Sequence, residues 1–132
     1  MISDIARTYL RTQWVHIGRS KTDGVDCTGL IMCVFRELGC EIAEVPSYDF
    51  SDMYNQMLDT IKLYCDEVPL SEVIDGDIIC FRSKMIYNHC GIYTSAGTII
   101  HAYNHNTVKM VVESDANSWF RFATCAFRWR GV

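Results

Sequence analysis

The 132-residue chain has only two prolines, Pro46 and Pro69, and it holds no internal repeat, no low-complexity tract and no stretch that reads as a linker. Those absences exclude solenoid, fibrous and disordered architectures. The length suits a single domain spanning 1–132 that buries one core of its own. The formal net charge is −4, with no run of Lys or Arg, so neither a nucleic acid nor an anionic membrane surface is expected as a partner. No apolar stretch approaches the roughly 18–20 residues needed to cross a bilayer. The opening MISDIARTYLRTQW carries Asp4, Arg7 and Arg11 and lacks the unbroken apolar segment of a secretory signal. It predicts a protein made in the cytoplasm without a signal peptide. No CxxC pair and no His/Cys spacing suited to zinc is present, and no metal or cofactor is expected.

What the chain does have is an ordinary globular balance, 49% apolar and 21% charged, with periodicities that change partway along. Ile5, Tyr9 and Leu10 fall at helical spacing and predict a helix over 2–14, with Ser3 available as its cap. The polar segment WVHIGRSKTDGVD reads as a loop. It runs into CTGLIMCVFRELG, where Leu30, Val34 and Leu38 share a helical face and Gly39 stands at the expected left-handed cap. A third helix is expected from near Ser51, with Met53, Met57, Ile61 and Tyr64 on one face. From Asp77 onward the runs DIICF, HCGIYT, TIIHAY, VKMVVE and ATCAFRW alternate with turn residues such as Ser95, Gly97 and Asn104 to Asn106. Helices followed by a meander of strands predict an α+β fold, with N-terminal helices packed on an antiparallel β-sheet. The seven cysteines, an odd count, read as reduced thiols. Most, like Cys80 in DIICF and Cys125 in FATCAF, read as small buried hydrophobes.

One cysteine sits differently. In GVDCTGL, Cys27 opens a helix after a polar loop, where the outward-pointing amides of the first turn favour thiolate over thiol. The same amides can donate to the oxyanion of a tetrahedral intermediate, which predicts a nucleophile and its stabilising donors in one place. A base must stand beside such a thiolate. His89 opens the strand HCGIYT, and alternation is expected to turn His89 toward the helix and Cys90 away from it. His101 in TIIHAY is expected to lie beside His89 across an antiparallel pair and to orient its ring. His16 and His105 read as solvated or capping loop residues, and Trp14, Trp119 and Trp129 as packing residues.

Asp26-Cys27-Thr28-Gly29, the strand entry Asp75-Gly76-Asp77, His89-Cys90-Gly91-Ile92-Tyr93, His101 and the ending AFRWRG together resemble the papain-like NlpC-type cell-wall cysteine peptidases, and in particular the short members encoded with phage tails. The resemblance runs over almost the whole chain. It implies a papain-like fold, Cys27 as nucleophile, His89 as base and His101 as the third polar residue. It also implies that Asp26 helps to bind the free amino end of a peptide stem, with a helix-capping carboxylate as the alternative. Trp14 stands where the family usually has a tyrosine whose hydroxyl assists the oxyanion or substrate. Thr28 replaces the usual serine, and His16 and Ile17 replace the usual tryptophan and glycine. Trp14, Asp26 and Thr28 are thus the expected substrate-binding residues.

Three functions fit this reading. The first is hydrolysis of amide bonds in peptidoglycan stem peptides, by a tail-borne enzyme that opens the wall locally during DNA entry. Its partners would be the stem peptide and other phage tail proteins, and its place of action the cell wall. The second is papain-like lipid acyltransfer, which the order of Cys27 before His89 opposes. The third is a catalytically silent structural module at a tail tip.

Overall fold

The computed structural model describes residues 1–44, 53–83 and 89–131. Helices α1 (Ile2–Arg7), α2 (Cys27–Glu37) and α3 (Met53–Lys62) precede most of the strands, and a short ribbon of β1 (Arg19–Ser20) and β2 (Gly24–Val25) leads into α2. The main sheet holds β3 (Cys65–Val68), β4 (Ile78–Phe81), β5 (His89–Tyr93), β6 (Thr98–His105), β7 (Val108–Asp115) and β8 (Ala123–Trp129), and a short helix α4 (Ala116–Trp119) follows β7. The strand order is β3-β8-β4-β5-β6-β7, with every pair antiparallel. This is an α+β fold, as the periodicities predict.

The sheet's two faces bury different clusters. Ile78, Cys80, Cys90, Ile92, Ile100 and Phe127 pack against Leu30, Ile31, Val34 and Phe35 of α2. Ile79, Phe81, Ile99 and Ala126 face the other way, beneath Trp119, Phe120 and Phe122. Both faces of β4 are therefore covered, which is why IICF is apolar without alternation. Its entry is fixed by Asp77, almost fully buried, whose carboxylate accepts from Arg128 Nε at 3.0 Å and Nη2 at 2.9 Å and from the Ile74 amide at 2.8 Å. The ending AFRWRG thus has structural work to do. Arg128 clamps β8 to the start of β4, and Arg130 donates to the Cys65 carbonyl on β3 at 2.9 Å.

α2 ends as predicted. Gly39 adopts a φ of 88°, its amide bonds the Arg36 carbonyl at 3.0 Å and the Cys40 amide bonds that of Phe35 at 2.9 Å, the paired pattern of a Schellman cap.

Elsewhere the structure departs from the sequence reading. The first helix stops at Arg7 rather than Trp14, because residues 11–14 join the edge of β7: the Arg11 amide donates to Val111, the Val111 amide to Thr12 and the Trp14 amide to Lys109. Edge pairing there outweighs local helical spacing. Ser3 lies inside the helix, its amide directed at Asp75 rather than capping. The supposed loop before α2 contains the β1–β2 ribbon. β3 and α4 were not anticipated, and His105 lies at the end of β6 rather than in a loop. β8 does not extend a meander beside β7 but returns to the middle of the sheet, between β3 and β4. The expected start of the third helix at Ser51 lies outside the described residues.

Gly91 is where two strands come close enough to matter for function. A Cβ there would stand 2.5 Å from Ile99 Cγ2 and 3.0 Å from His101 Cβ, so the bare position leaves room for His101. Gly91→Ala is expected to cost about 1–3 kcal/mol through overpacking, measured by urea unfolding, and to displace the His101 ring.

Candidate active site

Asp26 sets the position of the first turn of α2. Its Oδ1 accepts the Gly29 amide at 2.7 Å and Arg19 Nη1 at 2.8 Å, and its Oδ2 accepts the Ile17 amide at 2.9 Å. This is an N-cap that also fastens the preceding segment to the helix. Ile17 presents its amide from a left-handed turn, φ 58°, a conformation that β-branched residues rarely adopt. Burial raises the Asp26 carboxyl, and so does the negative charge on Cys27, against the lowering effects of Gly29, Arg19 and Ile17. Both oxygens are thus engaged within the protein in the helix-cap arrangement, and an ammonium from a ligand would compete there with Arg19.

Cys27, the first residue of α2, is only partly exposed. Its thiol lies well below the ordinary value: hydrogen bonding from Cys90 is the largest cause, and the hydrogen bond and charge of His89 add to it, together outweighing burial. The Thr28 hydroxyl is 3.9 Å from the same sulfur. Thr28 and Cys90 also line a small apolar pocket with Ile31, Met32, Ile42 and Met57.

Behind Cys27 runs a line of polar rings. His89 Nε2 is 2.7 Å from His101 Nδ1, and His101 Nε2 is 2.8 Å from Ser114 Oγ. Burial, with the neighbouring His89, pushes His101 down to about 2. A neutral His101 that carries its proton on Nε2 donates to Ser114 and offers the Nδ1 lone pair to His89. His89 can then donate Nε2–H to His101 and present its other nitrogen to the Cys27 sulfur. Trp119 covers this line, with ring centroids 5.6 Å from His89 and 4.7 Å from His101, and His101 is fully buried. A lowered Cys27 thiol with the His89 ring beside it, sheltered behind by Trp119 and partly exposed at Cys27, is equipped to attack an electrophilic carbon and to pass a proton to a leaving group.

The structure brings Cys27, His89 and His101 together, but not through the alternation that was expected. Cys90 faces α2, while His89 and His101 lie on the opposite face with Phe81 and Trp119. The contact with Cys27 is made at the strand end, where His89 opens β5 and Cys27 opens α2. Trp14 lies before the nucleophile, bridged to Val25 and half-buried against the core, and supplies no hydroxyl. His16 is exposed. Trp129 packs edge-on against Phe35 at 5.6 Å.

Sequence reasoning missed three contributors: Ser114, Cys90 and the cover over the histidines by Trp119. Ser114 had a signal in hindsight, since His101 pairs with Val112 on β7 and a residue two further on shares the His101 face.

A family model for the NlpC/P60 family matches residues 11–128. No curated protein matches the sequence. Among solved structures, a lipoprotein-like NLP/P60 family protein from Staphylococcus aureus superposes with a TM-score of 0.68 at 25% identity, over 97% of this chain and 40% of that one. The present chain therefore spans less than half of that protein. The NlpC/p60 domain of the peptidoglycan hydrolase SagA gives 0.69 at 22% identity, over 96% and 95% of the two chains. RipD from Mycobacterium tuberculosis, described as a non-catalytic NlpC/p60 domain protein adapted to peptidoglycan binding, gives 0.64 at 16%, over 96% and 95%.

Two measurements check the electrostatics. Iodoacetamide labelling of Cys27, followed by peptide mass against pH, is expected to show a midpoint well below the ordinary thiol value of 9.0. The midpoint moves up in His89→Ala and, by less, in Ser114→Ala. In unfolding experiments, His101 has no effect on stability above its unfolded value near 6.5. Below that the unfolded chain takes a proton that the folded chain refuses, so stability falls progressively as pH drops from 6.5 toward 2. His101→Asn is expected to flatten that fall.

Proposed function

The chain belongs to the NlpC/P60 family, and from that premise we propose that it is a cysteine peptidase or amidase that cleaves amide bonds in the stem peptides of bacterial peptidoglycan. The observation that carries this reading is the continuous line from the lowered Cys27 thiol through His89 and His101 to Ser114. Cys27 attacks the scissile carbonyl, and the oxyanion forms at the open end of α2, where first-turn amides and the helix dipole favour negative charge. His89 gives its proton to the departing amine. It then takes one from the water that releases the acyl group. His101 holds the ring of His89 in place throughout.

The substrate class follows from the kinship with the SagA domain, whose protein is described as a peptidoglycan hydrolase. Asp26 and Thr28 flank the nucleophile in sequence and Trp14 is bridged to Val25 just before it, and all three are proposed to shape the substrate side of the cleft. Delivery to the wall by a phage tail, alongside other tail proteins, is the further part of the proposal. It rests on the likeness of the ending AFRWRG.

Purified peptidoglycan and synthetic stem peptides are to be incubated with wild type, Cys27→Ala and His101→Ala, and the fragments weighed by mass spectrometry. Wild type is expected to release peptide fragments, with Cys27→Ala slower by about three orders of magnitude or more and His101→Ala by about two. Binding without cleavage by a folded wild type would instead assign the chain the role described for RipD.

A further inference from the structure

The hydrolytic steps use Cys90 only as a hydrogen-bond partner that lowers the Cys27 thiol, and leave its own sulfur chemistry unused. The Cys90 sulfur lies 3.5 Å from the Cys27 carbonyl oxygen, and its S–H is also in hydrogen-bond contact with the Cys27 sulfur. Cys90 is fully buried and Cys27 is partly exposed, so Cys27 is the more accessible thiol of the two. Both are reduced. Cys80 stands opposite Cys90 on β4, and Cys125 opposite Cys80 on β8, so the row of thiols continues across the sheet.

We propose that Cys27 and Cys90 form a peroxide-oxidation site, in which Cys90 resolves the oxidised nucleophile as a reversible disulfide. The Cys27 thiolate attacks one oxygen of hydrogen peroxide and the O–O bond breaks. The released hydroxide takes the proton held on His89 and leaves as water, and Cys27 becomes a sulfenic acid. The Cys90 sulfur then attacks the Cys27 sulfur, the S–O bond breaks, and the departing hydroxide leaves as a second water with the Cys90 thiol proton. Two thiols lose two electrons, and one peroxide becomes two waters. Closing the disulfide turns the Cys90 sulfur, now 3.5 Å from the Cys27 carbonyl oxygen, onto the Cys27 sulfur at about 2.05 Å. The order of events is built in: the hydrogen bond to Cys27, burial and the charge on Cys27 keep Cys90 a thiol, and that charge disappears when Cys27 becomes a neutral sulfenic acid. Without a resolving thiol, the sulfenic acid proceeds to sulfinic and sulfonic acids, which thiols do not reduce.

The test treats the full chain with hydrogen peroxide, blocks free thiols and maps peptides by mass before and after dithiothreitol. Wild type is expected to give a peptide pair linked Cys27–Cys90 and to regain alkylatable Cys27 on reduction. Cys90→Ala and Cys90→Ser are expected to regain about tenfold less and to carry sulfinic or sulfonic acid on Cys27. Two variants are used because a buried serine hydroxyl carries a desolvation cost that alanine avoids. Overoxidation of wild type to the same extent as the variants would overturn the proposal, as would a disulfide joining Cys27 to any residue other than Cys90. The readout is the mass of the Cys27 peptide rather than turnover. A chain that binds peptidoglycan without cleaving it would still show the disulfide, so the two readings fail separately.

Discussion

A carboxylate taken out of water must find its full complement of donors inside the protein, and Asp26 finds three, from three places in the chain. The Gly29 amide starts α2, the Ile17 amide closes the preceding left-handed turn, and Arg19 brings the neutralising charge from β1. Losing Arg19 leaves the buried charge unpaired and losing either amide leaves a buried carboxylate oxygen short of a donor, so the turn, the ribbon and the helix start are coupled. Cys27 is the next residue, and its place at the helix end is a consequence. The energy that fixes the nucleophile is thus the same energy that closes the N-terminal segment onto the core.

The second constraint is the two-faced sheet. Because α2 covers one face and the Trp119 region the other, a thiol and an imidazole from opposite sides meet only at an edge or an end. The end of β5 supplies that place. The arrangement lets His101 sit wholly in the dry interior beneath Trp119, where it stays neutral, while Cys27 keeps contact with solvent. It also places Cys90 under the nucleophile, since the neighbour of a residue on one face necessarily points to the other. The far half of the sheet holds the frame through the Asp77–Arg128 ion pair and the return of β8 to the middle.

Much of this was legible in the residues. The start and Schellman end of α2, five of the strands, the α+β class and the convergence of Cys27, His89 and His101 were all readable, because each rests on local chemistry: a cap, a left-handed glycine, a run of β-branched residues, a motif. The misreadings share a cause. The helix expected over 2–14 gives way after Arg7 because residues 11–14 satisfy their backbone groups on β7, an element about a hundred positions away in sequence. The inverted alternation at His89 has the same origin, since a strand's sequence shows which residues share a face but not which face meets the helix.

The sequence by itself determined the family, the order of the first three helices and of five strands, and the residue types available for chemistry, since short-range propensities and motif spacing are written in neighbouring positions. Only the tertiary structure decided that Asp26 spends its oxygens on Ile17, Gly29 and Arg19, that Ser114 completes the histidine line, and that Cys90 lies against the nucleophile. Those outcomes depend on strand register and on which sheet face each helix covers, and both are set by burying the whole core at once rather than by any single segment.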